Sequence, residues 1–234
     1  MPSRPVRTIV TLALACGTAA CGATTQTART TAPSPGTTAA PSAVPTGIAR
    51  ARADSARYPY TVADVEFMTD MIGHHAQAVV MSKWAPTHGA DAAVQRLAER
   101  IINAQEDEIA TMQRWLADRE KPVPVATPMS HASHDMAGMD QSAMIMRGML
   151  TDVQMKELDA ARGPDFDRLF LGYMIQHHKG ATAMVTKLFS TPGAGQDETI
   201  FKFASDVNVD QTTEIARMQR MLFEFELKRA GAPD

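Results

Sequence analysis

An internal repeat constrains the fold of this chain more than any other feature of its sequence. Asp64–His75 aligns with Asp167–His178, and the match continues without a gap to Met81 and Met184. A repeated unit of this size cannot bury its own hydrophobic face, so it packs against its neighbour. The repeat therefore predicts two copies of one structural unit that face each other.

A second repeated block shows where each unit turns. Gln105–Gln113 aligns with Gln211–Gln219, but three extra residues precede the second block. Because insertions fall in loops, each unit is predicted to be a helical hairpin. The turns are expected near Pro86–Gly89 and Pro192–Gly195.

Hydrophobic side chains follow helical spacing in both blocks. At about 100° per residue, one face of the first helix carries Phe67, Met68, Met71, Ala78 and Met81. Only 6% of the residues are aromatic and 16 are methionine, which favours helices over strands. We predict an all-α domain over residues 58–230, a four-helix bundle formed by repeat one (58–119), a long connection (120–163) and repeat two (164–230).

The N-terminus has the layout of an export signal. Arg4 and Arg7 precede the apolar run Thr8–Ala15, which is too short to cross a membrane. Small residues then lead to Cys21, as in the lipobox of bacterial lipoproteins. Residues 1–21 are therefore predicted to be a signal peptide, with Cys21 as the lipidation site. Ordinary secretion with an incidental cysteine is the alternative.

The segment after the signal is rich in Thr, Ala, Pro and Ser. Residues 22–57 carry few large apolar side chains and cannot offset their ordering entropy by burial, so we predict a disordered tether. Cys16 would leave with the signal. The predicted bundle then contains no cysteine for a disulfide or a thiolate metal site.

Polar residues interrupt the apolar faces at matching positions in the two repeats. They are His74, His75, Gln105 and Glu108 in the first, and His177, His178, Gln211 and Glu214 in the second. A buried carboxylate needs a partner, so each glutamate is expected beside a histidine. Hydrogen bonds that fix the bundle register are one interpretation of this pattern. Metal ligation from facing helices is the other, and it would involve the histidines and both glutamates.

Methionines flank the predicted histidine pairs. Met71, Met81, Met174 and Met184 are candidate thioether ligands for a soft metal. Methionines at helical spacing also serve as ordinary core residues, and that alternative stays open.

The connection carries a second cluster of metal-binding residue types. Between residues 129 and 140 it contains Met129, His131, His134, Met136 and Met139, together with two aspartates. Thioethers and imidazoles without thiols suit Cu(I), and imidazoles with carboxylates suit Cu(II), whereas zinc makes little use of methionine. We predict copper binding here; a solvated loop is the alternative. A short helix is expected over Thr151–Ala161, capped by Thr151 and stopped by Gly163–Pro164.

The segments Phe67–Met81 and Phe170–Met184, with their Met-Ile-x-His-His core, resemble a family of bacterial secreted proteins known as domain of unknown function 305. Asp165–Phe170 ahead of the second copy fits the same family. The resemblance implies a ferritin-like four-helix bundle and, for some members, periplasmic copper binding through His and Met. It implies that His74, His75, His177 and His178 are the residues to carry over.

The leading hypothesis is a non-enzymatic, extracytoplasmic lipoprotein that sequesters or passes on copper, with a copper-handling protein as a potential partner. The alternatives are a ferritin-like di-metal oxidoreductase and a metal-free helical interaction module. Met71 and Met174 stand where a Glu-x-x-His site would place its glutamates, which disfavours the oxidoreductase. A net charge of -3 and the lack of a basic stripe disfavour nucleic acid as a partner.

Overall fold

The structure is a computed structural model that describes residues 46–57, 59–128 and 148–231. Over these residues it contains six helices and no strand: α1 (Gly47–Arg57), α2 (Val62–Trp84), α3 (Ala92–Asp118), α4 (Asp152–Ala160), α5 (Gly163–Ser190) and α6 (Glu198–Arg229). The predicted all-α class is confirmed. Both hairpin turns lie where the repeat predicts them.

Capping residues set the starts of the helices. Thr61 and Thr151 each form a capping box with the third residue of the helix, Asp64 and Gln154 respectively. The threonine side chain accepts a hydrogen bond from the backbone N–H of that residue, whose side chain accepts one from the backbone N–H of the threonine. Asp91 and Asp197 cap the second helix of each hairpin in the same region of the repeat. The predicted start of the short helix at Thr151 is confirmed.

The end of that helix lies within one residue of the predicted Ala161, but Gly163–Pro164 has a different role from the predicted one. The short helix α4 ends at Ala160, and Gly163–Pro164 begins α5 instead. Proline is tolerated in the first turn of a helix because the N–H that it lacks would have no partner there. The pair therefore signals a helix start at this position.

The predicted tether is also too long at its C-terminal end. Residues 47–57 form α1, which packs near the end of α3, with Ala51 buried and an ion pair between Arg52 and Glu120 at 2.8 Å. The Thr/Pro-rich composition of the tether gives way here to Ala and Arg, both of which have high helix propensity.

The two hairpins pack through their first helices. α2 pairs with α3, α5 pairs with α6, and α2 contacts α5. The hydrophobic core consists of two clusters, each drawing on all four of these helices. Apart from Val79, the first cluster combines residues from the N-terminal half of α2 with residues from the C-terminal half of α5. The second cluster combines residues from the opposite halves. The first helices of the two hairpins are therefore antiparallel.

Two buried aspartates connect the hairpins reciprocally. Asp64 of the first repeat accepts the backbone N–H of Gly195 at 2.7 Å, in the turn of the second hairpin. Its counterpart Asp167 accepts the backbone N–H of Asp91 at 3.0 Å, beyond the turn of the first. Burial raises the pKa of Asp167 above its ordinary value. Each hairpin thus satisfies a backbone donor of the other, which sets their relative register.

Among the helices that the structure describes, none combines the length and hydrophobicity needed to cross a membrane. The predicted signal peptide, Cys21, most of the tether and the Met/His cluster at 129–139 lie outside the described residues. Those predictions stay predictions.

Candidate metal centre

A layer of polar side chains separates the two hydrophobic clusters at the middle of the bundle. We call it the histidine layer; it consists of His74, His75, Gln105, Glu108, His177, His178, Gln211 and Glu214. All four histidines are fully buried, at 0% exposure. The repeat places the two histidine pairs at matching positions of α2 and α5. Because α2 and α5 contact each other, both pairs lie in the interior of the bundle.

Each hairpin contains a histidine–carboxylate pair. Nε2 of His75 lies 2.7 Å from Oε2 of Glu108, and Nε2 of His178 lies 2.7 Å from Oε2 of Glu214. The glutamate side chains are 17% and 12% exposed, so they form the outer edge of the layer. The predicted proximity of each glutamate to a histidine is confirmed.

The other two histidines meet at the contact between α2 and α5. The ring centroids of His74 and His177 are 3.8 Å apart with the planes tilted by 40°. Nε2 of His177 donates to the backbone carbonyl oxygen of His74 at 2.9 Å. Burial lowers the pKa of His177 well below its ordinary value, and the neighbouring histidines lower it further by charge repulsion. His177 is therefore neutral at pH 7.

Several polar atoms in the layer have no hydrogen-bond partner. These are Nδ1 of His75, His177 and His178, both amide atoms of Gln105, and Oε1 of Gln211. A buried polar atom without a partner costs about 1–3 kcal/mol, and native proteins seldom leave so many together. Imidazole nitrogens that are buried and bare are the ligands that copper prefers, so this donor set fits a copper ion.

The four candidate methionines lie on either side of the layer. Met71 and Met174 are fully buried and precede His74 and His177 by three residues, which places each one helical turn away on the same face. Met81 is also fully buried and Met184 is partly buried. All four belong to or pack against the hydrophobic clusters. Their positions therefore agree both with thioether ligands and with ordinary core residues.

The structure does not display a preformed cage. Within residues 46–57, 59–128 and 148–231, no three His, Cys, Asp or Glu side chains are grouped as a metal site would require. A copper ion in the histidine layer would therefore use fewer than three of these side chains together with thioether sulfur, or would draw them together on binding. Cu(I) accepts such a mixture of imidazole and thioether ligands.

An acidic groove leads to the layer from the side of α3 and α6. It is lined by five carboxylates and one lysine: Asp107, Glu108, Glu198, Asp206, Asp210 and Lys202. Burial raises the pKa of Asp210, and the negative charges of Glu108 and Glu214 raise it further. Sequence reasoning missed Asp210 because the first repeat has Ala104 at the matching position. A groove of this charge attracts cations.

The part of the connection just before α4 is bound next to both histidine pairs. The Gln77 amide donates to the carbonyl oxygen of Leu150 at 3.0 Å and accepts its N–H at 2.8 Å. Gly148 has a φ of +83°, and a Cβ there would lie 2.6 Å from the carbonyl oxygen of Gln176 and from Cα of Gly180. In the alignment of the two repeats, Gln77 corresponds to Gly180. The close approach of Gly148 accounts for the glycine at position 180. Gly148 and Leu150 therefore lie beside the histidine layer.

The comparisons with known proteins agree with this architecture. A family model with the description "Domain of unknown function (DUF305)" matches residues 64–222. A DUF305 protein from Streptomyces coelicolor, described as secreted, is 29% identical with a TM-score of 0.59, covering 70% of this chain and 94% of its own. CopM in its Cu(II)-bound form is 29% identical with a TM-score of 0.52, covering 69% of this chain and 97% of its own.

CopM in its Cu(I)-bound form is 26% identical with a TM-score of 0.51, covering 69% of this chain and 96% of its own. Protein L153 of Acanthamoeba polyphaga mimivirus is 37% identical over 57 residues, which is 24% of this chain. The match spans 38% of the length of that relative.

Proposed function

This chain belongs to the DUF305 family, and from that membership together with the geometry of the histidine layer we propose that it is a non-enzymatic, extracytoplasmic copper-binding protein. The observation that carries the proposal is the set of fully buried histidines whose Nδ1 atoms, in His75, His177 and His178, lack any hydrogen bond. An apolar side chain would pack at these positions at lower cost, so the imidazoles have a function that packing does not supply.

The similarity to CopM supports copper as the metal. Structures of CopM bound to Cu(I) and to Cu(II) share the fold of this chain. The S. coelicolor protein is described as secreted, which supports export. In the proposal, lipidation at Cys21 holds the protein at the outer face of the membrane, the Met/His segment at 129–139 captures ions, and the bundle stores or passes on copper to a partner.

Copper would be bound as cargo by side chains of two kinds. His74, His75, His177 and His178 supply imidazole nitrogen, and the methionines one turn away supply thioether sulfur. The acidic groove raises the local concentration of cations near Glu108. Gly148 and Leu150, which follow the Met/His segment in the sequence, are bound beside the layer.

The test is copper binding by the full chain and three variants. We expect the wild type to bind Cu(I) in competition with a coloured chelator. H75L/H178L is expected to bind roughly tenfold or more weakly. Deletion of residues 129–147 should lower the copper stoichiometry while leaving binding by the bundle. Far-UV circular dichroism checks that each variant is folded.

His88→Gln is the matched control. His88 is a buried histidine outside the layer, where Nε2 contacts the Asp159 carbonyl oxygen at 2.9 Å, so H88Q should bind copper as the wild type does. A wild type that binds neither Cu(I) nor Cu(II) would overturn the proposal in favour of the metal-free module. Iron in the isolated protein with peroxide turnover would overturn it in favour of the di-metal oxidoreductase.

A further inference from the structure

The two glutamates of the histidine layer have a more specific role than their distance from the histidines alone indicates. Resting on the proposed function, we propose that Glu108 and Glu214 are positioning residues and not copper ligands. Each one holds its histidine as the tautomer that is protonated at Nε2, and this leaves Nδ1 as the nitrogen that binds copper. One of the two interpretations of the sequence makes both carboxylates ligands; the hydrogen bonds favour this other role.

The hydrogen-bond chemistry of imidazole carries the first step. A neutral imidazole has one N–H donor and one bare nitrogen. An ionised carboxylate has no proton to donate, so Nε2 must be the donor in both 2.7 Å contacts, His75 with Glu108 and His178 with Glu214. The bare nitrogen is then Nδ1 in both rings.

His177 reaches the same tautomer through a different acceptor. Its Nε2 lies 2.9 Å from the carbonyl oxygen of His74, and a carbonyl oxygen only accepts. In all three histidines the assigned bare nitrogen is the atom without a hydrogen-bond partner. If Nδ1 carried the proton instead, three N–H donors would be buried and unsatisfied, and three acceptors would face bare nitrogens. The assigned tautomer avoids both costs.

The positions of the two carboxylates agree with an orienting role. Histidines that bind metals usually donate their other ring N–H to a carboxylate or a carbonyl group, which fixes the ring and raises its basicity. Glu108 of α3 contacts His75 of α2, and Glu214 of α6 contacts His178 of α5, each from the more exposed edge of the layer. Because a bound ion would be on the Nδ1 side of each ring, the carboxylates lie on the opposite side from it.

The first measurement is made without copper. Nitrogen-15 NMR of the metal-free full chain distinguishes protonated from bare ring nitrogens. We expect Nε2–H and a bare Nδ1 for His75, His177 and His178. In E108Q/E214Q the amide can present either its oxygen or its NH2 group, so His75 and His178 should become tautomer mixtures while His177 keeps its state. Protonation at Nδ1 in the wild type would overturn the inference.

The second measurement is made with copper. E108Q/E214Q is expected to bind copper about tenfold more weakly, a typical loss when a carboxylate behind a ligand histidine is removed. Pulsed EPR of the Cu(II) form should report a remote nitrogen at Nε2 whose hydrogen bonding changes in the variant. The matched control is Glu106→Gln, an exposed residue two positions before Glu108 that pairs with Lys83, and it should change neither property.

The outcomes separate this inference from the proposed function. Copper bound through Nε2, or wild-type affinity in E108Q/E214Q, would overturn the positioning role while copper binding itself persists. A wild type that binds no copper would overturn the proposed function and, with it, the role of the tautomer in binding. The NMR assignment of the metal-free chain is independent of that result.

Discussion

Replacing Asp197 with alanine is expected to destabilise the protein by about 3–5 kcal/mol, the usual cost of removing one partner of a buried ion pair. The Asp197 side chain is 1% exposed, and its Oδ2 lies 2.5 Å from Nη2 of Arg119, whose side chain is 5% exposed. Without the carboxylate, the guanidinium would be left buried without a counterion.

Asp197 satisfies three further donors with its other oxygen. Oδ1 accepts Nε1–H of Trp115 at 3.2 Å and the backbone N–H groups of Thr199 and Ile200, both at 3.1 Å. The residue therefore caps α6 and connects it to the end of α3, where Arg119 lies 4.3 Å from the centre of the Trp115 ring. Loss of the cap adds to the loss of the ion pair.

Denaturant unfolding of D197A and of a matched control measures this effect. Asp206 lies in the same helix, is 56% exposed and pairs with Lys202 one turn away. D206A should therefore change the free energy of unfolding by less than about 0.5 kcal/mol. Equal stability of D197A and D206A would show that the buried ion pair does not hold the hairpins' ends together.

Acidification from pH 7 to 5.5 is expected to destabilise the metal-free protein by about 1 kcal/mol through His177 alone. The folded state holds the pKa of this histidine well below its ordinary value, first because of burial and then because of the adjacent histidines. In the unfolded chain the pKa returns to about 6.5. Below that pH the unfolded state binds a proton that the folded state does not, so stability falls as pH falls.

Other groups act in the opposite direction at lower pH. Asp70, Asp167 and Asp210 have raised pKa values in the folded state, so protonation below their folded pKa values favours folding. Their ordinary pKa is near 3.8, so any contribution that they make between pH 7 and 5.5 has the opposite sign to that of His177. The part of the slope that belongs to His177 is therefore the difference between the wild type and a variant that lacks this ring.

The control for acidification is His177→Gln. The glutamine amide can still donate to the His74 carbonyl oxygen but does not take up a proton. Thermal unfolding of both chains, with a chelator present, should show a smaller pH dependence in H177Q. An equal dependence in the two chains would assign the acid sensitivity to other groups. Copper is expected to oppose the loss, because a ligand that binds only the folded state stabilises it.

The sequence predicted the fold because its signals are local and are repeated. Helical periodicity, the two copies of Met-Ile-x-His-His and the turn residues after each first helix all indicate the same pair of hairpins. DUF305 membership, predicted from those motifs, is confirmed by the family match over residues 64–222. The predictions for residues 47–57 and for the role of Gly163–Pro164 were wrong because local sequence does not show what a segment packs against.

The pairing of each histidine with a glutamate also followed from sequence, because a carboxylate on an apolar face needs a partner and the repeat offers the same one twice. Asp64 and Asp167 occupy inward repeat positions, yet the backbone N–H groups that donate to them lie in or just beyond the turn of the other hairpin. No helical pattern specifies such a contact between distant segments. The repeat marked these aspartates without revealing what they bind.

Sequence alone determined the residue types of the layer, its level in the bundle and its duplication, since these depend on spacing along a helix. Only the tertiary structure decided which groups His75, His177 and His178 contact through Nε2, because those groups come from other helices. The tertiary structure also placed Asp210 near both glutamates and bound Leu150 to Gln77. These contacts join residues that are far apart in the chain and depend on how the hairpins meet.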